Sequence, residues 1–224
     1  LTLCGSLRKK TAQGLARIAS LRSVHAGTNL SGDKTLETSF SIILSGVAKL
    51  SMHTPDGHTQ IIALKFPSEF VGSLYSPSVA LKAEAASDLE VCSFPKADFE
   101  TFMETHADLE HQILRSTVEE LDAARQWMQM ISLKTAGERL STFLLLLVRK
   151  MSSDAFSTGY NGKNIELRVP LSRTEISACL GLRLETVSRE FTELKSAGIV
   201  TADSSRALKI LRLSELQKRA HICH

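Results

Sequence analysis

Glu185, Ser188, Arg189 and Thr192 fall at steps that place them on one face of a helix. Arginine can donate two hydrogen bonds to guanine O6 and N7, glutamate accepts from cytosine N4, and serine serves either way. A helix carrying them outward could therefore read base edges in a major groove. Behind that face Val187, Phe191 and Leu194 recur at helical spacing and can pack inward. In the segment before it Ile176 and Leu180 share a face, and Gly181 can take the left-handed conformation that a turn needs. Leu171 to Val200 thus reads as two short helices around a glycine turn. After Ile199 and Val200 come the polar turn Asp203-Ser204-Ser205 and the alternating stretch Ala207-Leu208-Lys209-Ile210, which predict a two-stranded wing. Arg173, Thr174, Arg183, Thr186, Arg206 and Lys209 are the candidate phosphate contacts beside the base-reading Glu185, Ser188 and Arg189. An ordinary amphipathic surface helix has the same periodicity, and the wing is what favours a winged helix-turn-helix.

Something must position that unit. The chain has 224 residues, 43% hydrophobic and 23% charged, with a net charge of +3. That is room for one large domain or two modest ones, and too mild a charge for a polycationic nucleic-acid coat. Basic residues cluster at Arg8-Lys9-Lys10 and between Arg173 and Arg219. The longest apolar run, Phe143 to Val148, is too short to span a bilayer, and the N-terminus lacks the apolar core of a signal peptide. No membrane partner and a cytoplasmic location are expected. Leu1 is not an initiator methionine, so a few leading residues are expected to be missing. Cys4, Cys92, Cys179 and Cys223 lack the spacing of a disulfide framework.

From about Leu36 to Phe94 the pattern has period two. Ala48, Leu50 and Met52 alternate with Lys49, Ser51 and His53, a Pro55-Asp56-Gly57-His58 turn follows, and Ile62, Leu64 and Phe66 alternate again. Further strands are expected at Ser39 to Ser45 and Leu89 to Phe94, with Gly27, Gly32, Gly46 and Gly72 at corners, giving a small barrel or jelly roll. After Pro95 the period changes. Between Ala107 and Ile131 a stripe of Leu109, Ile113, Leu121, Ala124, Met128 and Ile131, broken at Thr117, predicts a long helix whose apolar surface a parallel partner helix would cover. Packing on its own chain is the alternative. A second, very apolar helix is expected from Thr135 to Lys150, then a polar loop from Ser152 to Asn164. The expected class is α+β: an antiparallel β-roll over residues 1–105, a dimerisation helix over 106–133 and a winged helix-turn-helix over 134–224.

That order resembles the CRP/FNR transcription regulators. Thr135-Ala136-Gly137-Glu138-Arg139-Leu140 looks like the family's segment after the dimer helix, and Glu175-Ile176, Leu180-Gly181-Leu182 and Glu185-Thr186-Val187-Ser188-Arg189 look like its helix-turn-helix signature. Ser188 before Arg189, with Leu184 ahead of them, resembles the FNR and FixK branches rather than the cyclic-AMP receptor. The resemblance implies a homodimeric regulator, mainly an activator, that recruits RNA polymerase and reads TTGA in double-stranded DNA through Glu185, Ser188 and Arg189. The cyclic-AMP receptor has a glutamate and an arginine where this chain has Gly72-Ser73-Leu74 and Ser76 to Lys82, and Lys82 cannot supply a bidentate grip on a phosphate. No cyclic nucleotide is expected. The oxygen-sensing branch holds an iron–sulfur cluster on four thiolates. Cys4 and Cys92 resemble two of those positions and the other two are not seen, so no cofactor is expected unless missing leading residues complete the set.

Cys179 lies in the first helix of the DNA-reading unit near Arg183, where oxidation would set a negative charge against phosphate. It is the candidate redox residue, with an inert helix cysteine as the alternative. His221, Cys223 and His224 could meet a metal only adventitiously, so no metal site is expected. A barrel metal enzyme is disfavoured, since His53 and His58 flank a turn and no catalytic motif is present. A pure oligomerisation protein would leave the face of Glu185, Ser188 and Arg189 unexplained.

Overall fold

The computed structural model describes residues 7–30, 38–53, 57, 59–72, 74, 81–151, 164–202, 204 and 206–221. In chain order the elements are α1 (Lys9–Ile18), β1 (Ser20–Val24), β2 (Ser39–Ser45), β3 (Ala48–His53), β4 (Thr59–Lys65), β5 (Phe70–Val71), β6 (Lys82–Ala85), β7 (Leu89–Pro95), α2 (Lys96–Glu104), α3 (Ala107–Leu133), α4 (Ala136–Met151), β8 (Ile165–Arg168), α5 (Arg173–Leu180), α6 (Leu184–Ser196), β9 (Val200–Ala202), β10 (Ala207–Ile210) and α7 (Leu213–Arg219). The chain divides into two compact units, Leu1–Ala124 and Arg125–His224. Among the described residues no helix is long and apolar enough to cross a membrane.

In the first unit the alternation of β2 sends Phe40 and Ile42 to one side and Ile43 to the other, so the strand is buried on both faces. Phe40 and Ile42 join Phe94, Phe99, Met103, Leu15 and Leu109 in one apolar cluster, which α1, α2 and the first turn of α3 complete. Ile43 joins Ala48, Ala83, Ala85, Leu89 and Val91 in a second cluster between the two antiparallel sheets. Their strand orders are β1-β7-β2-β5 and β4-β3-β6. Gly46 turns β2 into β3 at φ 86°, where a Cβ would sit 2.1 Å from the Asp88 carbonyl oxygen, so only glycine fits. The hairpin of β3 and β4 and the strands at 39–45 and 89–95 stand where the periodicity puts them. Residues 54–56 and 58 of its turn, and Gly32, lie outside the described residues.

Two charges enter this unit. Lys49 pairs with Glu84 across β3 and β6 at 2.7 Å. Lys65, opposite Ala48 of the inter-sheet core, is 6% exposed and pairs with Glu120 of α3. The elements of this unit that periodicity missed are short or one-sided: α1, β1, β5, β6 and α2.

The stripe expected on α3 is not one face. Leu109 is fully buried in the first unit's core and Ile113 packs on it, so neither belongs to a free interface. Ile131 is half-buried beside Gly181 of the second unit. Leu121 and Met128 are exposed, as is Ala124, and Leu114 and Val118 join them at 61% and 51% exposure. The outward row is Leu114, Val118, Leu121, Met128, at steps of four, three and seven.

In the second unit α4 buries Leu140, Phe143, Leu144, Leu145, Leu147 and Val148 against α6, α7 and β8. The wing is a three-stranded sheet rather than a pair, because β8 adds to β10 and gives the order β8-β10-β9. Most of the loop expected at 152–164, as well as Asp203 and Ser205, lies outside the described residues.

Candidate nucleic-acid interface

Helix α5 starts at a capping box. The Ser172 hydroxyl accepts from the Glu175 N–H at 3.2 Å and the Glu175 carboxylate accepts from the Ser172 N–H at 2.7 Å, satisfying two donors at the helix start. It ends at Gly181, φ 62°, in the left-handed region, whose N–H donates to the Ser177 carbonyl. The chain then enters α6 at Arg183. Val187, Phe191 and Leu194 are buried, while Glu185, Ser188, Arg189 and Thr192 are exposed, so α6 presents the polar row outward.

Around that row stand the candidate phosphate contacts. Thr174, Arg183 and Arg206 are exposed and Thr186 is half-buried. Lys209 lies on β10, where its amine is 3.6 Å from Glu166 of β8. Arg173 differs from the others. Its guanidinium lies over the Phe191 ring, 3.0 Å from the centroid, and burial lowers its pKa to about 10, which leaves it protonated at neutral pH. Its Nη1 is buried with no hydrogen-bond partner. An oriented cation with a spare donor suits an incoming anion oxygen.

A Crp-like helix-turn-helix domain matches residues 138–219, and a cyclic nucleotide-binding domain matches residues 21–106. The transcriptional activator protein FnrL of Cereibacter sphaeroides is 31% identical over 220 residues, 97% of this chain and 87% of the relative. The nitrogen fixation regulation protein FixK of Bradyrhizobium diazoefficiens is 34% identical over 186 residues, 80% and 74% of the two chains. The chain belongs to the CRP/FNR family of transcription regulators. Among solved structures, FixK2 from Bradyrhizobium japonicum matches at a TM-score of 0.78 and 26% identity, over 92% of this chain and all of that one. Within the CRP/FNR family the chain lies on the FixK/FNR-like branch, as a DNA-binding regulator and not an enzyme.

The CRP/FNR segment from Thr135 to Leu140 has a physical role here. Thr135 and Glu138 cap α4: the Glu138 carboxylate accepts from the Thr135 N–H at 2.6 Å and from its hydroxyl at 2.8 Å. These bonds hold the Glu138 carboxyl below the usual range. Arg139 donates to the Leu180 carbonyl at 3.1 Å, fastening the end of α5 to α4. Gly137 lets Glu190 approach: a Cβ there would lie 2.8 Å from Glu190 Oε2.

The redox reading of Cys179 is corrected. Its side chain is fully buried, and burial, reinforced by Glu175, pushes the thiol well above its ordinary pKa, so the reactive thiolate is disfavoured. Cys92 packs against the first unit's core, and Cys4 lies outside the described residues. Lys82 pairs with Glu84 at 3.4 Å, which engages the cation weighed as a phosphate ligand. Ser73 and residues 76–80 lie outside the described residues, as do Cys223 and His224. His221 is 3.4 Å from Glu138, and among the described residues no cluster of three metal-ligating side chains occurs. Sequence reasoning missed Glu190 and Arg219. The available signal was a charged residue at the margin of the inward face of α6.

Proposed function

We propose that this protein is a homodimeric, cytoplasmic transcriptional activator that reads a TTGA–TCAA palindrome without cyclic AMP and acts by recruiting RNA polymerase. Base reading falls to Glu185, Ser188 and Arg189. Arg173, Thr174, Arg183, Thr186, Arg206 and Lys209 hold the phosphates and carry no sequence information. The observation that carries the reading is the division of α6: Val187, Phe191 and Leu194 are buried and anchor the helix, which leaves Glu185, Ser188 and Arg189 exposed on the opposite side. FnrL, itself named a transcriptional activator, supports activation as the outcome.

A second copy of the chain is the partner that suits α3. Leu114, Val118, Leu121 and Met128 follow heptad spacing and are half to two-thirds exposed. A two-fold axis along such a row matches it against itself and sets two recognition helices toward grooves one turn apart. Independence from cyclic AMP rests on the missing glutamate and arginine and on the engagement of Lys82 by Glu84. Cys179 is assigned a packing role.

The test is titration of purified protein, free of nucleotide, against a duplex carrying TTGA and TCAA half-sites and against a scrambled duplex. Preference for the palindrome that Arg189→Ala relaxes, by about 1–3 kcal/mol at the guanine, is the expected result. Equal loss on both duplexes removes Arg189 as a base reader, and a requirement for cyclic AMP removes the nucleotide-free part.

A further inference from the structure

Glu190 follows Arg189 on α6 and is the only charged residue of that helix to be buried, at 7% exposure. Its carboxylate lies between two guanidiniums. Oε2 accepts from Arg219 Nη2 of α7 at 3.5 Å, and Oε1 is 3.9 Å from Arg189 Nη2, beyond hydrogen-bonding range. Arg219 Nη2 also donates to Glu193 Oε2 at 2.6 Å, so α7 holds two successive turns of α6 through one side chain. Arg189 itself stays 68% exposed.

A buried carboxylate draws in whichever cation is available, because its charge is poorly solvated. Arg219 meets that demand from the protein side, and Arg189 remains directed outward. Without Arg219 the nearest replacement is Arg189, and a guanidinium turned back onto Glu190 cannot also present both donors to guanine O6 and N7. We propose that Arg219 is a specificity-determining residue that acts through Glu190, neutralising the buried carboxylate so that Arg189 is free for the base. This rests on the assignment of Arg189 as a base reader. Arg219 touches no base itself and is a positioning residue.

The experiment measures Kd by fluorescence anisotropy on the TTGA–TCAA duplex and on one with the guanine replaced in both half-sites. The proteins are wild type, Arg189→Ala, Arg219→Ala, Arg219→Lys and Arg219→Ala/Glu190→Gln, with circular dichroism melts for each. Arg219→Ala is expected to lower the ratio of the two affinities about tenfold, while affinity for the replaced duplex stays within about twofold. Arg219→Lys keeps a cation beside Glu190 and should retain most of the ratio, and it also serves if Arg219→Ala fails to fold. Adding Glu190→Gln to Arg219→Ala should restore discrimination, because no buried charge is left to capture Arg189. Removing an unpaired buried charge also restores stability, so the melts decide between the two: Arg219→Ala must lose discrimination at a temperature where it is fully folded, and a loss that only follows the melting temperature overturns the inference. The inference is overturned if Arg219→Ala keeps the ratio, if it weakens both duplexes equally, if Arg219→Lys loses as much as Arg219→Ala, or if the double variant is no better than the single one. If Arg189→Ala leaves the ratio unchanged, the base-reading role fails and this inference with it.

Discussion

Leu121→Asp sets a charge in the middle of the exposed row on α3, and its effect can be worked from exposure. Leu114, Val118, Leu121 and Met128 are 61%, 51%, 50% and 67% exposed. Covering the open half of such a side chain is worth about 1 kcal/mol at ~25 cal/mol per Å². Eight side chains in a symmetric pair then supply about 8 kcal/mol before the cost of association. The substitution removes about 2 kcal/mol of that over both copies, and it brings two carboxylates together in a seam that excludes water, at several kcal/mol more. At 1.4 kcal/mol per factor of ten, the dimer constant should weaken by at least about 10³. Sedimentation equilibrium should therefore show a monomer at micromolar concentration, with the far-ultraviolet spectrum of the wild type, and binding to the palindromic duplex should disappear. Leu109→Asp is the contrast. That side chain has no exposed surface and belongs to the first unit's core, so it should unfold the β-roll instead. A Leu121→Asp protein that remains a dimer refutes the assignment of this face. A Leu109→Asp protein that is folded and monomeric would return Leu109 to the interface.

Glu120→Ala leaves Lys65 buried without that partner and should cost up to about 3 kcal/mol in a urea titration, with Lys65→Met added to it recovering most of the loss. Iodoacetamide should label Cys179 of the folded protein no faster than global unfolding allows, since the side chain is fully buried and burial raises its thiol pKa. Rapid labelling, followed by mass spectrometry of the tryptic peptide, would reopen the redox reading.

The parts of this fold that were legible in the sequence are those where one periodicity runs for several residues against one neighbour. The β3–β4 hairpin, α4 and the pair around Gly181 are of that kind. Alternation or 3.6-residue spacing there reflects a single buried side, and Gly181 stands where its φ of 62° is required. Helix α3 shows why the rest was harder to read. At 100° per residue Leu109, Ile113 and Ile131 lie about a third of a turn from Leu114, Val118, Leu121 and Met128, so steps of three and four connect residues of either set. One set meets protein of its own unit and the other meets solvent, and hydrophobicity is the same in both. A pattern of residue types records that a face is apolar and not what covers it. The same blindness hid Glu190 and Arg219, whose pairing joins two helices 29 positions apart. Their charge looks like surface until α7 is seen beside α6. Cys179 erred in the opposite direction: its position near Arg183 in sequence suggested a reactive thiol, while the helical turn that carries it points the sulfur into the core beside Ile176 and Leu180. Depth rather than neighbourhood in the chain decides whether a thiol reacts or a carboxylate governs its neighbours, and depth is set by elements remote in sequence.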